Sequence, residues 1–148
     1  MNITQIKLEN FTVFKNTEIN FASGINIFIG ENGTGKTHIL KILYSACQAT
    51  NPKVSFSHKI VRTMLPDDFK ISRLITRNRG NHSAKIKVSA QTEEKTTAKN
   101  LFLDFHNKTK KWDAEVKGEE VWEKAFHESS SIFIPAKEIL SNSYNLTA

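Results

Sequence analysis

Apolar and polar residues alternate in short runs along most of this chain, and one stretch near the amino terminus holds a helical rhythm for three turns. Ile3 to Leu8 alternates, with Ile3, Ile6 and Leu8 against Thr4, Gln5 and Lys7, and predicts a first strand. Thr17 to Phe21 predicts a second, with Ile19 and Phe21 on one face. Ile25-Asn26-Ile27-Phe28-Ile29 predicts a third. The intervening Ala22-Ser23-Gly24 reads as the tight turn of an antiparallel hairpin. From Lys36 to Cys47 the period changes. Ile39, Leu40, Leu43, Ala46 and Cys47 follow the i, i+3/i+4 spacing of a helix with one buried face, which Asn51-Pro52 ends.

Further on the pattern is softer. Ser57 to Leu65 predicts a short helix with Ile60, Val61, Met64 and Leu65 on its apolar side. Pro66-Asp67-Asp68 reads as a helix start, because acidic side chains favour a helix N-terminus. That helix runs through Phe69, Ile71, Leu74 and Ile75 to a turn at Arg79-Gly80-Asn81. Lys85 to Ala90 alternates as a strand, followed by a polar loop at 91–98. Leu101 to His106 and Lys111 to Val116 predict two more strands joined by Asn107-Lys108-Thr109-Lys110. Glu119 to His127 predicts a helix with Val121 and Ala125 inward and Trp122 as a further inward candidate. Ser131 to Ile134 reads as a short buried strand ending at Pro135. The expected architecture is one α/β domain over 1–148. Residues 1–50 give strands and the first helix, 51–80 a basic helical stretch, and 81–148 antiparallel strands with a helix and a final strand.

Between the third strand and the first helix lies Gly30-Glu31-Asn32-Gly33-Thr34-Gly35-Lys36-Thr37, the phosphate-binding loop pattern of Gly, four free positions, then Gly-Lys-Thr. Gly30 and Gly35 allow backbone turns that a Cβ would block, so successive N–H groups can point at phosphate oxygens. Gly33 eases the wrap further. Lys36 places a positive charge against the β- and γ-phosphates, and the Thr37 hydroxyl can enter a Mg²⁺ shell. The nucleotide-binding set is Gly30, Asn32, Gly33, Thr34, Gly35, Lys36, Thr37 and His38, with Thr37 the metal ligand. A glycine-rich turn can occur without binding anything. The strand before this one and the helix after it supply the context that the motif needs.

Composition narrows the setting. With 148 residues, 39% hydrophobic and 24% charged, the chain reads as one globular domain. Its first residues lack the apolar core of a signal peptide, and no run approaches the roughly 18 apolar residues of a membrane span, so a cytoplasmic protein is expected. The single Cys47 cannot form an internal disulfide. The net charge of +6 is concentrated in residues 53–90, where nine Lys or Arg face two acids. Such a block suits nucleic acid or another acidic surface. Without interleaved aromatics, a solvated face is the simpler reading.

Two antiparallel strands ahead of the phosphate loop set the chain apart from simple kinases and small GTPases, which usually place this loop after their first strand. From Ile3 through Tyr44 the sequence resembles the amino-terminal part of the ATP-binding-cassette ATPases of the SMC and RecF-like group, most closely its bacterial AAA-type and OLD-like members. Leu8-Glu9-Asn10-Phe11, Phe14, Ile19-Asn20-Phe21 and the run from Gly24 to Thr37 carry the likeness. The Gly-Glu-Asn-Gly entrance is far more specific to the group than the bare loop pattern. Weaker likeness continues at Met64 to Asp68, at Ile71 to Ile75 and at Phe133 to Ser141. The resemblance implies a P-loop, ABC-type lobe: an antiparallel β-meander, the loop strand and helices, with ATP and Mg²⁺ as ligands. Members often carry an arginine after the Asn-Phe pair, where it approaches phosphate. Here that position is Thr12, with Lys15 a candidate substitute in the same turn.

The hydrolytic parts of the family are not visible. Its larger members pair two nucleotide domains, so that the loop of one meets a Ser-Gly-rich signature segment of the other. They also carry an Asp-Glu after a second core strand and a switch histidine. None of these is in this sequence, which resembles a first lobe, incomplete relative to the full cassette. Leu101-Phe102-Leu103-Asp104 looks like a metal-binding strand end, but Phe105 stands where the catalytic Glu belongs and a hairpin follows. Glu138 occupies roughly the place of a Mg²⁺-contacting Gln without matching it. The five histidines show no metal-binding spacing. Trp112 and Trp122 read as anchors of the sheet and its covering helix, with base stacking as the alternative. Arg73, Arg77 and Arg79 read as solvated. The functional expectation is an ATP- and Mg²⁺-binding lobe that dimerises with, or is completed by, a remaining ATPase segment. The alternative is a regulatory nucleotide-binding module that does not hydrolyse. A small nucleotide or sugar kinase ranks below both, because no lid-like arginine motif or acceptor site is visible.

Overall fold

The alternating runs become one five-stranded antiparallel sheet. Its strands are β1 (Asn2–Phe11), β2 (Phe14–Asn20), β3 (Ser83–Gln91), β4 (Lys99–His106) and β5 (Glu115–Lys117), in the order β2-β1-β3-β4-β5. A computed structural model describes residues 1–80, 83–94, 97–127 and 129–135 of the chain. Register follows the alternation. Leu8 faces Ile86, which faces Leu103, which faces Val116; Ile6 faces Val88, which faces Leu101. These rows share one face of the sheet. A one-residue slip would expose every one of them, so the buried face itself fixes the pairing.

Three helices cover that face: α1 (Lys36–Gln48), α2 (Phe56–Met64) and α3 (Glu119–Phe126). Trp122, Phe11, Phe56 and Phe105 are the largest fully buried side chains, and Phe11 meets Phe105 edge to face at 6.3 Å. The indole of Trp122 donates to the Ala46 carbonyl at 2.9 Å, so the heaviest core residue also ties α3 to α1 with its polar atom satisfied. No helix of the described residues is long and apolar enough to cross a membrane.

Several sequence expectations need correction. The buried face of α1 is Ile39, Ile42, Ser45 and Ala46, while Leu40 is exposed and Leu43 and Cys47 are only partly covered. Ser45 can sit there because its hydroxyl donates back to the Lys41 carbonyl at 2.8 Å and lies 3.3 Å from the Thr63 hydroxyl of α2. On α3 it is Trp122 and Phe126 that turn inward, leaving Val121 exposed. Leu65, expected on the apolar side of α2, is an exposed left-handed cap. The helix expected after Pro66 is two 3-10 turns, Asp67–Phe69 and Ile71–Leu74, because Asp68 and Phe69 adopt φ of 54° and 52°. The strand expected from Lys111 shortens to β5. Residues 111–114 turn away, and Lys111 gives its carbonyl to the Ile71 N–H at 2.7 Å instead of to a ladder.

The largest correction concerns two expected strands. Residues 25–29 do not close a hairpin with β2, and 131–134 do not form a buried strand. Among the described residues neither joins a ladder. The turn at 22–24 is held instead by the Asn26 side chain, which accepts from the Ala22 N–H and donates to its carbonyl. Ile25, Ile27 and Ile29 are 89, 79 and 92% exposed, and Ile132 and Ile134 are 88 and 81% exposed. The alternation is still there. Phe28 turns in against Phe21, and Phe133 against Tyr44 on α1. A crevice of about 460 Å³, lined in part by Phe21, Phe28, Leu43 and Cys47, lies beneath. The Glu138 reading and the end of the Phe133 to Ser141 likeness fall outside the described residues, as does His82.

Candidate phosphate-binding site

Residues 30–35 lead directly into the first turn of α1, and the loop's geometry follows from its glycines. Gly33 and Gly35 have φ of 81° and 94°, the left-handed region that side chains disfavour. At Gly35 space matters as well. A Cβ there would come within 2.4 Å of Phe14 Cζ and 2.7 Å of Val13 Cγ2, so the β1–β2 turn packs flush against the loop. Gly30 serves differently from expectation. It is not left-handed, but a Cβ would sit 3.2 Å from the Thr34 hydroxyl and 4.0 Å from the Lys36 ammonium, so its role is close approach.

Gly35 caps α1 without any side-chain hydrogen bond, and no acidic residue lies in the first turn. The first intrahelical bond runs from the Ile39 N–H to the Gly35 carbonyl at 3.1 Å. The N–H groups of Lys36, Thr37 and His38 precede it and have no intrahelical partner, and the positive end of the helix dipole is uncompensated. Lys36 folds back over the loop. Its ammonium donates to the Gly30 carbonyl at 2.6 Å and the Glu31 carbonyl at 2.5 Å, while Thr34 donates to the same Glu31 carbonyl at 2.8 Å. The Thr37 side chain is exposed at the helix start and makes no hydrogen bond among the described residues. Unpaired N–H groups, an inward cation and an exposed hydroxyl suit a polyphosphate with a divalent cation. Asn32 and Gly33 lie at the loop's exposed tip.

The His38 side chain meets the β1–β2 turn. Its Nδ1 shares a hydrogen bond with the Thr12 hydroxyl at 2.9 Å, and burial, then the nearby Lys41 charge, hold its pKa below the ordinary value. A neutral His38 adds no charge for phosphate; it pins the β1–β2 turn to the helix. Thr12 itself is left-handed (φ 51°), with its N–H on the Leu74 carbonyl at 2.7 Å. Lys15 lies exposed on β2. Burial pushes the Cys47 thiol up to about 11, which keeps it protonated and unreactive at neutral pH. Asp104 faces Lys85 and Glu115 in the middle of antiparallel β4, on the sheet face opposite the helices, and is not brought to the loop. Arg73, Arg77 and Arg79 are exposed. Sequence reading missed Val13 and Phe14 as the wall behind Gly35. An apolar pair in a predicted turn was the only signal for it.

The AAA ATPase domain family matches this chain over residues 1–148. RecF of Lysinibacillus sphaericus, a DNA replication and repair protein, is 36% identical over 62 residues, 42% of this chain and 17% of that protein. RecF of Streptococcus gordonii is 29% identical over 91 residues, 62% of this chain and 25% of that protein. The recombination mediator RecF, solved with ATP, has a similar fold, with a TM-score of 0.52 and 17% identity over 79% of this chain and 26% of that one. The chain thus spans about a quarter or less of the length of the relatives it matches.

Proposed function

This chain belongs to the AAA ATPase domain family, and from that premise we propose that it is an ATP- and Mg²⁺-binding lobe of the RecF-like, ABC type. One observation carries the reading. Lys36 holds its ammonium over the carbonyls of Gly30 and Glu31, beside the uncapped start of α1. Phosphate oxygens are charged acceptors, stronger than neutral carbonyls, so a nucleotide can draw the lysine off the loop. The N–H groups of the first turn of α1 would then hold the β- and γ-phosphates, and the Thr37 hydroxyl would help hold a Mg²⁺ ion. That ion would neutralise developing charge on the phosphates. Gly33 and Gly35 keep the loop backbone close to its ligand, and Val13 and Phe14 brace it from behind.

Hydrolysis, on this reading, needs a carboxylate and a signature segment that the described residues do not bring to the loop. The segments 25–29 and 131–134 support completion by a remaining ATPase segment. Among the described residues neither joins a ladder, and their five isoleucines are 79 to 92% exposed, an apolar exposure that a partner segment would cover. The first of these segments leads straight into Gly30, so whatever pairs with it also steadies the phosphate loop. The alternative is a nucleotide-binding regulatory module without turnover.

Phosphate release from ATP with Mg²⁺, measured on this chain and on Lys36→Ala, separates the two. Saturable ATP binding without release by the isolated chain, and release once the rest of a RecF-like ATPase is supplied, supports a lobe awaiting its partner. Release by the chain alone that disappears in Lys36→Ala shows a site already complete. Binding that never leads to release supports the regulatory module.

A further inference from the structure

The turn that walls the phosphate loop is itself held from outside, by a segment 62 residues further along the chain. Between β1 and β2, Asn10 and Thr12 both adopt a left-handed backbone, with φ of 49° and 51°. Neither is glycine, and such conformations persist where the surrounding contacts over-determine them. Here the contacts come from residues 74–76, at the end of the second 3-10 turn. The Thr12 N–H donates to the Leu74 carbonyl at 2.7 Å and the Thr76 N–H to the Asn10 carbonyl at 2.8 Å, while Phe11 and Ile75 form an antiparallel bridge. Those bonds use backbone atoms and tolerate many side chains. One further bond does not: the Thr76 hydroxyl donates to the Phe14 carbonyl at 3.2 Å.

Phe14 is where this latch meets the site. Its ring and the Val13 side chain fill the space that a Cβ on Gly35 would need, at 2.4 and 2.7 Å, and Gly35 is buried beneath them. Gly35 caps α1 in a left-handed conformation, just ahead of the N–H groups of the first turn. Contacts therefore run from Thr76 through the backbone and ring of Phe14 to the residue that aims those N–H groups. A threonine that only filled space could be replaced by valine. Here valine would take the hydroxyl donor away from a partly buried carbonyl.

We propose that Thr76 is a positioning residue for the phosphate loop, holding the Phe14 wall so that Gly35 and the start of α1 keep the geometry a phosphate ligand needs. The proposal rests on the nucleotide reading for the ligand, but not for the loop's geometry, so two readouts on the full chain separate them. Hydrogen–deuterium exchange over residues 30–38 needs no ligand. Thr76→Val should speed it about threefold or more and leave β3 and β4 unchanged, and Thr76→Ser, which keeps the hydroxyl, should match the wild type. Phe14→Leu, which withdraws the ring but keeps the carbonyl, should loosen the loop in the same way. Titration with a fluorescent ATP analogue and Mg²⁺ should show about a three- to tenfold loss of affinity in Thr76→Val, restored in Thr76→Ser. Thr63→Val, which removes a hydroxyl bonded to the Lys59 carbonyl on α2, controls for a general loss of stability and should move neither readout. Circular dichroism shows whether each variant folds. Loop exchange unchanged in Thr76→Val or in Phe14→Leu, or raised equally by Thr76→Ser or Thr63→Val, would overturn the proposal, as would unchanged affinity in Thr76→Val. A wild-type chain that binds no nucleotide, but whose loop still loosens in Thr76→Val, would refute the ATP reading and support the positioning role.

Discussion

Two parts of this molecule use the same residues to opposite ends. In the sheet, Ile6, Leu8, Ile86 and Val88 alternate with polar residues and are fully buried, each facing a partner on the next strand. In 25–29 and 131–134 isoleucines recur at every second position, with Asn26, Phe28 and Phe133 between them, yet they are exposed, and among the described residues no strand lies beside them. Alternation specifies an extended backbone with two unlike faces. Whether both faces are covered depends on what lies next to them. The sheet contains its own neighbours, and helices α1, α2 and α3 complete it. The two bare segments each have one covered face, Phe28 against Phe21 and Phe133 against Tyr44, and one that no described residue hides.

The sharpest way to break the comparison is to remove one residue from each side of it. Trp122→Ala should destabilise the fold by about 3–5 kcal/mol, since it opens a large cavity and strands the Ala46 carbonyl. Chemical denaturation will measure it. Ile27→Ser should change stability by less than about 0.5 kcal/mol in this chain, as an exposed substitution does. A comparable loss from both would mean that the segment is buried after all. If the completion reading holds, the same Ile27→Ser should lower affinity for the remaining ATPase segment.

Gly35→Ala comes next, because it lies where the two parts meet. Its Cβ has no room against Phe14 and the backbone is left-handed, so about 1–3 kcal/mol of strain is expected, together with at least a tenfold loss of nucleotide affinity. Calorimetry on the folded variant checks both. Unchanged affinity would remove the β1–β2 turn from the site.

Much of this was legible in the sequence. Helix α1 and the alternation of β1, β3 and β4 depend on local pattern, and the structure places them accordingly. Three features were not legible, for physical reasons. Ser45 lies in the core because a helix carbonyl satisfies its hydroxyl, which no hydropathy pattern records. Lys111 leaves its expected strand because Ile71, forty residues earlier in the chain, takes its carbonyl. The contact of His38 with Thr12 depends on a left-handed threonine that no turn signal predicts.

That last contact gives a smaller effect. The folded chain holds the His38 pKa below its ordinary value of 6.5, so between the two values the unfolded chain binds more protons. Stability contributed by this group is therefore complete above about pH 6.5 and declines as pH falls toward the depressed value. Thermal unfolding at pH 5 and pH 7 should show the decline, and His38→Gln should reduce it. A stability that rises on acidification over this window would contradict the assignment.

On the proposed reading, the loop at 30–37 holds ATP through Lys36. Titration calorimetry with ATP and Mg²⁺ tests it most directly. One saturable site is expected, strengthened by Mg²⁺ and lost, or weakened at least tenfold, in Lys36→Ala. The absence of binding by the folded wild-type chain, or equal binding by the variant, would contradict it.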